Sequence, residues 1–91
     1  MSGDPSNQPV WLVTGASRGI GAAIAARAHE QGCRVVVIAR GEEAKSTAGR
    51  LGLGAIAIQA DVSDVAAAQS AVDETIATFG RIDVVVNNAG V

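Results

Sequence analysis

Short unbroken apolar runs alternate along this chain with longer stretches in which apolar residues recur every three or four positions. Val10-Trp11-Leu12-Val13, Val35-Val36-Val37-Ile38 and Val84-Val85-Val86 are the runs. An unbroken apolar run marks a strand covered on both faces, as in a parallel sheet. The pattern predicts strands at Val10–Thr14, Arg34–Ala39, Ala55–Gln59 and Ile82–Asn87. Between them it predicts helices over Arg18–Gln31 and Glu42–Leu51, and a third that Ser63 or Asp64 caps. Ile20, Ile24 and Ala28 are expected to form the inner face of the first helix. Ala44, Ala48 and Leu51 do so for the second, and Val65, Ala68, Val72, Ile76 and Phe79 for the third. Gly32, Gly52 and Gly80 stand at the expected helix ends. Strands alternating with helices over short connections give a doubly wound α/β fold, because right-handed crossovers place helices on both faces of a parallel sheet.

The chemistry concentrates where strand one meets helix one. Thr14 to Gly21 read Thr-Gly-Ala-Ser-Arg-Gly-Ile-Gly. A buried strand that enters a glycine-rich turn and opens a helix is built to cradle phosphate. Backbone N–H groups and the positive end of the helix dipole converge there. Gly15 permits the tight turn, Gly19 lets a pyrophosphate approach, and Gly21 lets the helix pack closely on the sheet. Ser17, Arg18 and Ile20 form the floor of the loop.

The spacing is Gly-x-x-x-Gly-x-Gly. Asp61-Val62 follows the third apolar run, and Asn87-Asn88-Ala89-Gly90 follows the fourth. These three motifs, in this order, resemble the short-chain dehydrogenase/reductase family over roughly the whole span from Val10 to Val91. The resemblance implies a Rossmann-type sheet of strand order 3-2-1-4. It implies an oxidoreductase that moves hydride between a nicotinamide dinucleotide and a carbonyl or alcohol, in a homo-oligomeric parent. By the same resemblance Asp61 accepts from the adenine amino group and the Val62 N–H meets the ring. Ala89 and Gly90 let the adenosine ribose approach, and Asn87 fixes the loop. Two other readings stay open: Asp61 as a cap of helix three, and Asn87 to Gly90 as a plain turn.

Arg40 bears on which dinucleotide is taken. In dinucleotide folds an acid at the end of strand two holds the ribose 2′-hydroxyl and repels a 2′-phosphate. Here that position is Ala39, followed by Arg40. Arg18 and Arg40 can pair a 2′-phosphate through charge-assisted hydrogen bonds, which points to NADP(H) over NAD(H). The alternative is a solvated Arg40 in a turn.

Composition narrows the class. Seven basic residues are scattered and the net charge is −2, so no basic stripe suggests nucleic acid. No apolar stretch is long enough for a membrane span. A single cysteine, Cys33, fits a reducing, cytoplasmic setting and reads as a small buried hydrophobe. His29 and Trp11 read as a surface residue and a packing residue. There is no Tyr, and Lys45 is the only Lys. The resembled family works with a Ser and a Tyr-x-x-x-Lys pair that follow the Asn-Asn-Ala-Gly segment. The chain is therefore expected to hold a flexible lead-in over residues 1–8 and, over residues 9–91, the cofactor-binding part of a dinucleotide domain without its catalytic segment. A non-catalytic binding module and an inactive truncation product are the alternatives.

Overall fold

A computed structural model describes residues 8–15 and 19–88. The elements run β1 (Val10–Thr14), α1 (Gly19–Glu30), β2 (Arg34–Ala39), α2 (Glu43–Leu51), β3 (Ala55–Gln59), α3 (Val65–Phe79) and β4 (Val84–Val86). The four strands form one parallel sheet in the order β3-β2-β1-β4.

Strand parity sorts the core into two layers. Val13, Val35, Val37 and Ala39 face α1 and α2, where they meet Ala25, Ala28, Ala44 and Ala48. Val10, Leu12, Val36, Ile38 and Ile58 face the other way, onto Ala71 of α3. Successive strand residues point to opposite faces, so an unbroken Val-Val-Val-Ile run fills both layers at once. Trp11 and the free Cys33 are half-buried against the first layer. Cys33 is thus only partly covered, because it lies in the turn before β2 rather than within the sheet.

The inner faces of two helices differ from expectation. On α1 the buried residues are Gly21, Ala25 and Ala28, while Ile24 is half-buried and Ile20 is 72% exposed. The helix approaches the sheet along its smallest side chains, which turns the bulkier isoleucines aside. On α3 the buried residues are Ala71 and Thr75, and the Thr75 hydroxyl satisfies itself by donating to the Ala71 carbonyl at 2.8 Å. Val65 is 82% exposed and Ile76 45%, so the expected stripe lies only partly against the sheet.

β4 is shorter than the expected Ile82–Asn87, and side-chain bonds tie it to β1 at both ends. Before it, the Asp83 carboxylate accepts from the Val10 N–H at 2.8 Å, and the Asp83 N–H donates to the Val10 carbonyl at 2.9 Å. Arg81 clamps the same carboxylate at 2.7 and 2.9 Å. That pairing first, and the Val10 N–H second, hold the Asp83 carboxyl below its ordinary range. Beyond β4 the polar atoms of Asn87 and Asn88 are taken up by Thr14.

Other ties fix the sheet's opposite end. The Gln8 side chain donates to the Gly32 carbonyl at 3.0 Å and accepts from Arg34 Nε at 3.0 Å. Arg34 also stacks over Phe79 at 5.0 Å, joining β2 to the end of α3. His29, expected on the surface, is half-buried, and its Nε2 lies 2.7 Å from the Leu53 carbonyl ahead of β3.

β4 is an edge strand, and Val85 is 59% exposed on the face shared with the exposed apolar residues of α3. An open apolar edge templates pairing with another chain. Residues 1–91 on their own are expected to self-associate, with a mean mass in sedimentation equilibrium that rises with concentration. Val85→Lys is expected to suppress that rise. A constant monomer mass up to roughly a hundred micromolar, a concentration at which exposed edges associate, contradicts it.

Candidate functional site: the carboxyl edge of the sheet

All four strands end on the same edge, and the order places β1 between β2 and β4, with α1 and α3 on opposite faces. That is the switch point at which doubly wound sheets open a crevice. Gly15 leaves β1 with φ of 61°, and Gly19 opens α1 with φ of 65°, both in the left-handed region that only glycine occupies without cost. The space where a Gly19 side chain would stand is open. Gly21 is the reverse case. A Cβ there would lie 2.3 Å from the Gly15 carbonyl oxygen and 2.8 Å from Asn88 Nδ2. Backbone touches backbone at this point. The first turn of α1 is thus held close to the sheet edge, with open space where a Gly19 side chain would stand, an arrangement that fits a pyrophosphate.

Thr14 and Asn88 stand within the sequence motifs, but no separate role was expected of either. The buried Thr14 hydroxyl accepts from the Asn88 N–H at 2.9 Å and lies 3.3 Å from both the Val86 carbonyl and Asn87 Oδ1. Asn88 Nδ2 in turn donates to the Gly15 carbonyl at 3.4 Å. The loop after β1 and the loop after β4 are therefore stitched together by side chains. The signal was present: a hydroxyl at the end of an apolar strand, facing an Asn pair at the end of another.

A groove of about 240 Å³ opens beside them, lined by Leu12, Ile38, Val62, Val72, Val85 and Asn87 among others. The lining is largely apolar, with Thr14 and Asn87 as its polar members, a mix that suits a planar ring.

Arg40 and Asp61 follow neighbouring strands. Ala39 pairs with Gln59, and the Ala60 N–H donates to the Ala39 carbonyl at 3.0 Å. Both side chains are exposed at this edge. Asp61 accepts from the Ser63 hydroxyl at 2.6 Å and from the Ser63 N–H at 3.0 Å. Those two bonds, and then the positive charge of Arg40, lower the pKa of Asp61 below its ordinary value. The sign follows: any stability Asp61 contributes is present above the ordinary value and is lost as pH falls through the lowered one. Asp61 is thus a carboxylate throughout the neutral range. The helix-cap reading of Asp61 fails in its simple form, because Asp64 caps α3 by accepting from the Ala66 N–H at 3.0 Å.

The structure brings Gly15, Gly19, Ile20, Gly21, Arg40, Asp61, Val62 and Asn87 to one edge. Ser17, Arg18, Ala89 and Gly90 lie outside the described residues. Among the described residues no cluster of His, Cys, Asp and Glu could hold a metal ion, and no helix is long and apolar enough to cross a membrane.

A family model described as short chain dehydrogenase matches residues 9–91. The chain belongs to the short-chain dehydrogenase family. Among its relatives, versicolorin reductase 1 of Aspergillus parasiticus is 48% identical over 87 residues, covering 90% of this chain and 33% of that protein. A variant of actinorhodin polyketide ketoreductase solved with NADPH superposes with a TM-score of 0.89 at 40% identity, covering 94% of this chain and 34% of that one. The 3-ketoacyl-(acyl-carrier-protein) reductase of Brucella melitensis complexed with NADH gives a TM-score of 0.83 at 36% identity, covering 85% and 32%. This short-chain dehydrogenase chain therefore spans about a third of the length of the curated relatives it matches.

Proposed function

We propose that this chain is the NADP(H)-binding portion of a short-chain dehydrogenase/reductase that transfers hydride between the nicotinamide and a carbonyl or alcohol substrate. The observation that carries the choice of NADP(H) is Arg40, exposed directly after β2, whose last residue, Ala39, takes the place of a NAD-selecting acid. A guanidinium there pairs with a 2′-phosphate. Arg18 is, by sequence, the second guanidinium of that proposed site. Solved relatives with NADPH and with NADH support a nicotinamide dinucleotide in general.

The cradle fits the group on this chain's own geometry. Gly19 leaves open space at the start of α1, and Gly21 seats that helix against Gly15. Backbone N–H groups at Gly19 to Gly21 would hold the pyrophosphate. Asp61 and Val62 would hold the adenine, and Asn87, Ala89 and Gly90 would border its ribose. When bound, the nicotinamide gives or takes the hydride. Titration with NADPH and NADH tests the reading: the expected result is a clear preference for NADPH, and equal affinities contradict it.

A non-catalytic binding module is the second reading, and composition favours it for residues 1–91 taken alone. There is no Tyr, and the only Lys, Lys45, is exposed in the first turn of α2. Residues 1–91 are expected to reduce no carbonyl substrate. Turnover at an enzyme-like rate, in protein freed of host reductases, would show that an acid–base pair has been overlooked.

A further inference from the structure

Ser63 stands at the carboxyl edge, in the turn that leads into α3, and is not the cap of that helix. The N-cap of α3 is Asp64, whose carboxylate takes the Ala66 N–H. Ser63 is exposed, and its hydroxyl and N–H both go to Asp61, at 2.6 and 3.0 Å. Both bonds end on Oδ1, and among the described residues none is made to Oδ2. A short O–H···O⁻ bond and an N–H bond to the same oxygen fix the side-chain torsions of an exposed carboxylate. An acceptor fixed in advance gives up less freedom when a ligand arrives.

We propose that Ser63 is a positioning residue of the adenine site: it locks Asp61 through Oδ1 and leaves Oδ2 as the acceptor for the adenine amino group. The inference rests on the cofactor reading above. It assigns Ser63 a role through Asp61 and none in direct contact with the nucleotide.

The test is a double-mutant cycle read by ligand-observed NMR, with adenosine 2′,5′-bisphosphate as the probe. Ser63→Ala is expected to weaken binding by about 3- to 10-fold, the scale of one charge-assisted hydrogen bond used to organise a site. The same substitution in an Asp61→Ala background is expected to change nothing further, and Ser63→Thr is expected to restore binding. Circular dichroism of each variant accompanies the titration. An equal loss in both backgrounds would mean that Ser63 acts on the fold, which overturns the proposal. Unchanged binding in Ser63→Ala overturns it as well. If the unsubstituted chain does not bind the probe at all, the cofactor reading itself fails, and the inference falls with it.

Discussion

Gly21→Ala is expected to unseat α1 and abolish cofactor binding. The added Cβ would fall 2.3 Å from the Gly15 carbonyl oxygen and 3.0 Å from its carbon, both backbone atoms that no rotamer change can move. Relief requires the first turn of α1 to lift from the sheet, taking the Asn88-to-Gly15 bond with it. Overpacking a tight contact costs about 1–3 kcal/mol, and backbone against backbone belongs at the upper end, against a total of about 5–15 for an ordinary domain. The measurement is denaturant unfolding together with a cofactor titration. Gly49→Ala is the control. Gly49 lies within α2, with open space where its side chain would be. There the change is expected to be neutral or stabilising by up to about 1 kcal/mol. Equal effects at the two glycines would refute the close-approach account of Gly21.

Arg40→Ala is expected to cost NADPH about 1.5–3 kcal/mol of binding, on the order of 10- to 100-fold, and NADH far less. The asymmetry is the content of the prediction. NADH carries no 2′-phosphate, so removing the guanidinium removes no partner from it. The positive charge of Arg40 also favours the ionised form of Asp61. A second consequence follows: Asp61 in Arg40→Ala is expected to have a higher pKa than in the unsubstituted chain, because a charge that favours the carboxylate has gone. Equal losses for the two cofactors would assign Arg40 to the solvated turn.

The strands were largely legible because their burial is two-sided, and two-sided burial writes itself as an unbroken apolar run. β1, β2 and β3 occupy their expected spans. β4 is shorter than expected, and Asp83 and Thr14 tie it to β1 through side-chain bonds, to which periodicity is blind. The inner faces of α1 and α3 were misassigned for a related reason. Hydrophobicity ranks Ile20, Val65 and Ile76 as core, whereas close packing on a sheet selects Gly21, Ala25 and Ala71. At the carboxyl edge, the glycine spacing was legible because positive φ and close backbone approach select glycine. The bonds that tie Thr14 to Asn88, and Ser63 to Asp61, were not, because they depend on which residues meet in space.

The Thr14 hydroxyl has a consequence for the order in which this molecule takes shape. Its bonds to Val86, Asn87 and Asn88 span 72 to 74 residues of chain. β1 meets β2 after one short crossover, but it meets β4 only after a loop containing almost everything else has closed. Closing a long loop is entropically costly, and contacts of high sequence separation form late. The nucleotide edge is therefore expected to be among the last parts of this segment to mature, during refolding and on the ribosome alike. A bound dinucleotide would report that β4 has docked, and would act as a clock for the end of folding.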